Sequence, residues 1–183
     1  TNFISIEGAK LITKIRIHSS DFTNEDLKDL KYFTELKLLE IFSFNLNDLK
    51  NLPILEKLET ICLRLGEIIM NIQPLENLSK LKKIDLEGIW FENLQPLSEL
   101  KKLKYLNLSY CKINDLSFLE NLTSITELYL NSNQIVDIAP VSNLKKLKIL
   151  QLSGNQIFDL NPLKSLKCLK ILHLQNNKIN EVK

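Results

Sequence analysis

The apolar residues of this chain recur every 22 positions, and that period confines it to a stack of near-identical coils. Leu103, Ile125, Leu147 and Leu169 align without a gap. Each opens the same frame, in which positions one, four, six and eleven are apolar and position nine is small or polar. One copy reads Leu147, Leu150, Leu152, Asn155, Ile157; the next reads Leu169, Leu172, Leu174, Asn177, Ile179. A unit this short cannot bury its own apolar face, so stacked copies must share one core. Such a stack presents a surface rather than a catalytic cleft.

Eight strand motifs follow from the frame. Their central apolar pairs are Ile15/Ile17, Leu39/Ile41, Ile61/Leu63, Ile84/Leu86, Leu106/Leu108, Leu128/Leu130, Leu150/Leu152 and Leu172/Leu174. Alternation of period two marks a strand with one buried face. One strand per coil, always in the same sense, predicts a curved parallel sheet. The return segments carry apolar residues every third position, as in Ile157, Leu160, Leu163 and Leu166. That spacing suits a 3₁₀ turn or a short extended return.

The first half departs from the period. The step from Ile15 to Leu39 is 24 residues and that from Ile61 to Ile84 is 23. Thr23-Asn24-Glu25-Asp26 has the pattern of a helix start, so an α-helix is expected from about Asn24 to Phe33 on the convex side. The extra residue between Ile68 and Ile72 is expected to bulge outward. The ninth position reads Ser20, Phe44, Gly66, Ile89, Cys111, Asn133, Asn155, Asn177. Asn there can bond buried backbone groups of the turn; Phe44 and Ile89 cannot, so their turns must satisfy the backbone otherwise. A regular C-terminal half and a distorted N-terminal half are expected. Phe3, Ile6 and Ala9 fit the convex spacing leading into Ile12, and Val182 is the first convex position after Ile179. The expectation is a segment of a longer protein with one or both ends uncapped, or ends that meet a neighbouring molecule.

Little in the chain offers chemistry. His18 and His173 lie seven coils apart, roughly 33 Å at strand spacing, so they share no metal or proton relay. In His18-Ser19-Ser20-Asp21 adjacent strand side chains point to opposite faces and do not converge as a triad must. With four glycines in the whole chain there is no phosphate loop, and no paired-cysteine motif offers a zinc site. Asp85 and Glu87 point the same way, about 7 Å apart at two residues of strand rise. That spacing suits a pair of acids for sugar chemistry, but a flat open face gives them no pocket. No catalytic residue, metal or cofactor is expected. Cys62, Cys111 and Cys168 are expected to be free thiols, because Cys62 and Cys111 stand two coils apart, roughly 10 Å.

The net charge of +2 does not indicate a nucleic-acid partner. No run of 18 apolar residues is present, so no membrane insertion is expected. Charge is patterned locally. Lys80/Lys82, Lys102/Lys104, Lys146/Lys148 and Lys170 form a basic line leading into the strands; Asp48, Asp115, Asp137 and Asp159 form an acidic line after them. The plain reading is that Lys solubilises one edge and Asp caps the convex turns. The sharper reading is a basic edge for an acidic partner.

The tandem frame resembles the leucine-rich repeat family, and within it the 22-residue type of bacterial internalins and of a eukaryotic phosphatase regulatory subunit. Val136-Asp137-Ile138-Ala139-Pro140-Val141 and Phe158-Asp159-Leu160-Asn161-Pro162-Leu163 look like the Asp-Ile-x-Pro-Leu signature of that subclass, and Pro96 keeps the proline in Phe91–Leu97. The resemblance implies an α/β leucine-rich repeat solenoid, a right-handed horseshoe or arc. It would form a single domain over residues 1–183 with about eight repeats, the parallel sheet on the concave face and short 3₁₀ or extended segments on the convex face.

In this frame positions three, five and seven point outward from the sheet and are free to encode recognition. Trp90, Tyr105, Tyr110 and Tyr129 fall near Arg64, Asp85, Glu87 and Asn107, the composition of an interface hot spot. Phe42 with Leu38 is a second candidate anchor. The expectation is a non-catalytic scaffold holding a protein ligand on these residues, with end-to-end self-association through uncapped ends as a further possibility. The resemblance implies a bacterial surface or secreted protein of internalin type. Two alternatives stand beside it: an intracellular regulatory subunit holding an enzyme such as a phosphatase, which free thiols suit, and a substrate-targeting module of a larger bacterial effector.

Overall fold

The computed structural model describes residues 6–65, 68–69, 71–91 and 93–179. Eight parallel strands join in chain order into one sheet. They are β1 (Lys14–His18), β2 (Leu38–Phe42), β3 (Thr60–Arg64), β5 (Lys83–Asp85), β7 (Tyr105–Asn107), β8 (Glu127–Tyr129), β9 (Ile149–Gln151) and β10 (Ile171–His173). Two shorter strands, β4 (Ile68–Ile69) and β6 (Trp90–Phe91), pair with each other apart from the main sheet. The leucine frame sets the register: Ile15 stands opposite Leu39, Leu39 opposite Ile61, Ile61 opposite Ile84, and so on to Leu150 opposite Leu172. Eight coils therefore stack as the period requires. Leu39, Ile61, Ile84, Leu106, Leu128 and Leu150 are wholly buried in a core that runs unbroken from Leu27 to Leu166.

The return segments are short 3₁₀ turns at Gln73–Asn77, Gln95–Glu99, Ser117–Leu119, Ala139–Asn143 and Asn161–Ser165. Four of them carry Pro at their second residue (Pro74, Pro96, Pro140, Pro162), where a missing N–H costs no helical bond. Two residues before each turn an Asn or Asp side chain accepts the first N–H of the turn. Asn71 Oδ1 takes Gln73 N–H at 2.8 Å, Asp115 takes Ser117 at 2.9 Å, Asp137 takes Ala139 at 2.8 Å and Asp159 takes Asn161 at 2.8 Å. The acidic line thus caps the convex turns.

The α-helix expected over Asn24–Phe33 is instead a 3₁₀ segment, Asp26–Tyr32. The reason lies in its apolar spacing. Leu27 and Leu30, both buried, are three residues apart, and Phe33 and Leu36 continue the step. A period of three keeps all four on one side of a 3₁₀ turn but would rotate them off one face of an α-helix. Asn24 does not cap it either. Its Oδ1 accepts Asn47 N–H of the next coil at 3.0 Å, while Asp26 Oδ2 accepts both Thr23 N–H and Thr23 Oγ1–H at 2.8 Å. One α-helical turn, Ile6–Ala9, precedes the first coil and buries Ala9. The expected outward bulge between Ile68 and Ile72 and the placements of Phe3, Gly66 and Val182 fall on or across residues outside the described set.

The ninth position divides the molecule. Asn133 Nδ2 donates to Leu108 O (2.9 Å) and Leu130 O (3.0 Å), while its Oδ1 accepts Cys111 N–H and Ile113 N–H, both at 3.0 Å. Asn155 and Asn177 repeat both donations, and each accepts one N–H, from Ile135 and Ile157. Cys111 imitates it: its thiol lies 3.3 Å from both Leu86 O and Ser109 O. Ile89 is buried without such bonds, and there Gly88 turns the chain. Phe44 is not inside at all but 82% exposed. Ser43, the residue before it, is buried in its place and donates to Phe22 O at 2.7 Å.

Candidate protein-binding face

The strands present their third, fifth and seventh frame positions on the concave face, and here the central coils carry a linked polar cluster. Arg64 ends β3, Asp85 ends β5, Glu87 follows two residues later and Asn107 ends β7. Arg64 donates to Asp85 Oδ1 at 2.9 Å through Nη1 and to Glu87 Oε2 at 3.4 Å through Nη2. From the other side Asn107 Nδ2 donates to the same two atoms at 3.1 and 3.0 Å. The two carboxylates are therefore held between a guanidinium and an amide. Burial opposes the charge on Arg64, but the hydrogen bond to Asp85 and the charges of Asp85 and Glu87, together with Cys62, outweigh it and raise its pKa above the ordinary value. Cys62 lies beneath, 3.7 Å from Arg64 Nη1, and its thiol is pushed up by burial and then by Asp85.

Next to this cluster Tyr105 and Tyr129 pack ring to ring, centroids 5.1 Å apart and planes tilted by 38°. They occupy the third and fifth positions of adjacent coils, so they meet diagonally across two strands. Lys83 Nζ sits 4.2 Å above the Tyr105 ring, and Tyr129 donates its hydroxyl to Glu127 at 3.2 Å. Burial pushes the Tyr105 phenol up to about 12, with Asp85 the next cause, and burial followed by the Glu127 bond raises that of Tyr129. Both are neutral hydroxyls at physiological pH, half-buried and held in place. Lys83 and Glu127 lie in the same third-position row as Tyr105; reading that row as side-by-side neighbours would have found them.

The eight sequence-selected residues do not form one patch. Arg64, Asp85, Glu87 and Asn107 are bonded together, and Tyr105 and Tyr129 adjoin them. Asn107, however, is 7% exposed, because the carboxylates it supports and the neighbouring strands cover it. It braces Asp85 and Glu87 from below the surface. Ser109 is buried as well; its Oγ accepts Asn131 N–H at 3.2 Å, and Asn131 Oδ1 in turn accepts Ser153 N–H at 3.0 Å. Outward frame positions are thus partly consumed in holding the short strands together. Trp90 and Tyr110 stand beyond the strand ends, on the rim. Trp90 is in β6 with Lys112 Nζ 3.2 Å over its ring, and Tyr110 is 56% exposed on a left-handed backbone, φ 62°. In the N-terminal coils His18 stacks on Phe42 at 4.4 Å and Arg16 pairs with Glu40, so Phe42 is stacked within the first two coils.

Cys62, Cys111 and Cys168 are free thiols, half-buried, buried and exposed in turn. Among the described residues no three His, Cys, Asp or Glu side chains are grouped to hold a metal. No helix among them is long and apolar enough to cross a membrane.

Residues 101–146 and 123–165 each match the sequence profile described as leucine-rich repeats in two copies. No curated protein matches the chain in sequence at a comparable level. Several solved structures are similar in fold. Internalin C2 of Listeria monocytogenes is 26% identical with a TM-score of 0.71, over 93% of this chain and 84% of that one. The internalin InlF of the same organism is 21% identical with a TM-score of 0.70, over 100% of this chain and 72% of that one. Listeria monocytogenes InlP is 21% identical with a TM-score of 0.80, over 95% of this chain and 52% of that one.

Proposed function

Starting from a leucine-rich repeat solenoid of internalin-like architecture, a protein-interaction scaffold, we propose that the chain is non-catalytic and holds a protein ligand on the concave face of its central coils. The observation that carries this is the Tyr105–Tyr129 pair, fixed at 5.1 Å beside the Arg64–Asp85–Glu87 cluster. Rigid aromatics with a polar tip lose little side-chain entropy on binding and dominate interface energetics. The prepaired charges around them fix the register of a partner and reject one of the wrong sign. Asp85 and Glu87 serve this role rather than sugar chemistry, because one oxygen of each is already engaged by both Arg64 and Asn107.

The likeness to Listeria internalins supports a bacterial surface or secreted protein. The exposed thiol of Cys168 favours a second reading, an intracellular subunit that holds an enzyme.

The test is a ligand selected from a displayed protein library against the whole chain. Its affinity is then measured for wild type, for Tyr105→Ala with Tyr129→Ala, and for Phe158→Ala on the convex side. The tyrosine change should weaken binding at least about tenfold, as expected for a hot spot, with the thermal transition nearly unmoved. Ligands that ignore the tyrosines and respond to Phe158 would place recognition elsewhere and end the proposal.

A further inference from the structure

The basic line expected from the sequence is a built ladder. Lys104 N–H donates to Lys82 O, Thr126 to Lys104 O, Lys148 to Thr126 O and Lys170 to Lys148 O, each at 2.8 Å. These bonds set the four lysines in one row, with Thr126 between Lys104 and Lys148, along the flank where the chain enters the sheet. Successive coils are about 4.8 Å apart, so the row from Lys82 to Lys170 is roughly 19 Å long. The motif Lys-Lys-Leu-Lys at 101–104 and again at 145–148 thickens it. All of these lysines are exposed. Among the described residues only Lys82 and Lys101 of this flank have a carboxylate within ion-pair distance, Glu59 and Glu99.

Like charges on adjacent strands are destabilising, and Lys82 with Lys104 and Lys148 with Lys170 stand one coil apart, about 4.8 Å, inside the screening length of physiological salt, about 8 Å. Nothing in the core requires the row. Asp115, Asp137 and Asp159 cap the convex turns, so they do not neutralise this row.

We propose that this lysine flank is a second interaction surface, which lays the solenoid edge-on against an anionic lipid bilayer and leaves the concave face open sideways to its ligand. Three features favour a bilayer over a folded acidic partner or nucleic acid. The ladder is rigid and in register, so many charges meet a broad surface at once. It is built from lysine without arginine, and so lacks the planar fork that recognises individual carboxylates or phosphates. No aromatic side chain interleaves it, as stacking on nucleic-acid bases would need. Basic residues near an anionic leaflet add attraction in proportion to their number.

The experiment is co-sedimentation of the intact chain with vesicles of phosphatidylcholine, with and without about one-third phosphatidylserine, at low and at high salt. Binding is expected only to the anionic vesicles and only at low to physiological salt. Lys104→Glu with Lys148→Glu and Lys170→Glu should lower partitioning at least about tenfold, with the circular dichroism spectrum retained. The corresponding triple arginine variant should bind as wild type. The proposal is overturned if wild type ignores phosphatidylserine, if the glutamate variant still partitions, or if the arginine variant loses binding. It is equally overturned if an oligoglutamate or an oligonucleotide competes the chain off the vesicles at equal charge concentration. Concave-face binding of a protein ligand is read separately and is unaffected by these variants.

Discussion

Coils one to three and coils four to eight close the same frame in different ways. In the later coils the eighth position is left-handed every time: Gly88, Tyr110, Ser132, Gly154 and Asn176 have φ of 77°, 62°, 54°, 72° and 57°. That sharp turn places the ninth residue inside, where in coils five to eight Cys111 or Asn bonds the neighbouring turns and in coil four Ile89 is simply buried. It also stops the strand after three residues. In the early coils none of the corresponding residues is left-handed among those described. The strands run for five residues, and β2 pairs directly with both neighbours as far as Phe42 opposite Arg64. Ser43 donates to Phe22 O and Asn45 to Ser20 O, so side chains tie these turns through other backbone groups than those the asparagine ladder bonds. The difference teaches that a solenoid can satisfy a turn by a buried amide or by a longer strand, and that the choice sets where the concave side chains begin.

The comparison is broken most severely by Asn133→Ala. It leaves the buried N–H groups of Cys111 and Ile113 and the Leu108 carbonyl without partners, while Leu130 O keeps its bond from Asn155, and should cost about 3–5 kcal/mol in urea denaturation. A loss below about 1 kcal/mol would show that the ladder does not hold the later coils.

Gly154→Ala comes next. Its φ of 72° strains any side chain, and a new Cβ would lie 3.1 Å from Ser132 Oγ and 3.3 Å from Ser132 Cα. Gly88→Ala has the same strain with nothing within 4 Å. The first should lose about 2 kcal/mol and the second about 1. Equal losses would mean that strain alone matters and that the coils are not pressed together at Ser132.

Cys111→Ala tests the thiol as a substitute amide. It should cost about 1–2 kcal/mol near neutrality and change the response to alkali. Burial pushes the Cys111 thiol up from 9.0 to about 12. The unfolded chain then releases its proton first, so this contribution is complete below pH 9 and is lost as pH rises toward 12. Tyr105 adds a similar loss beginning near pH 10. The variant should lose less stability than wild type between pH 9 and 10; parallel curves would show that Cys111 is not buried as described.

The smallest effect is the sharpest contrast. Phe44→Asn restores the consensus residue of the frame, yet Phe44 faces solvent and Ser43 already serves the turn. The change should lie within about 0.5 kcal/mol of wild type. A gain of 1 kcal/mol or more would mean that the early coils are later coils awaiting their asparagine.

By itself the sequence determined the number of coils, the parallel direction and register of the strands, the line of aspartates that caps the convex turns, and the ladder of Asn133, Asn155 and Asn177. All of these repeat along the chain, and a repeated signal survives local exceptions because each coil packs only on its neighbours. The tertiary structure alone decided what happens once. It turned the expected helix into a 3₁₀ segment, since Leu27 and Leu30 had to reach the same core as Leu36. It put Ser43 inside and Phe44 outside, and it buried Asn107 while leaving Tyr105 and Tyr129 half open. Whether an outward side chain is a contact or a brace depends on side chains one coil away, some 22 residues distant in sequence. The frame names the row in which each stands; only the packed coils decide which of them close over one another.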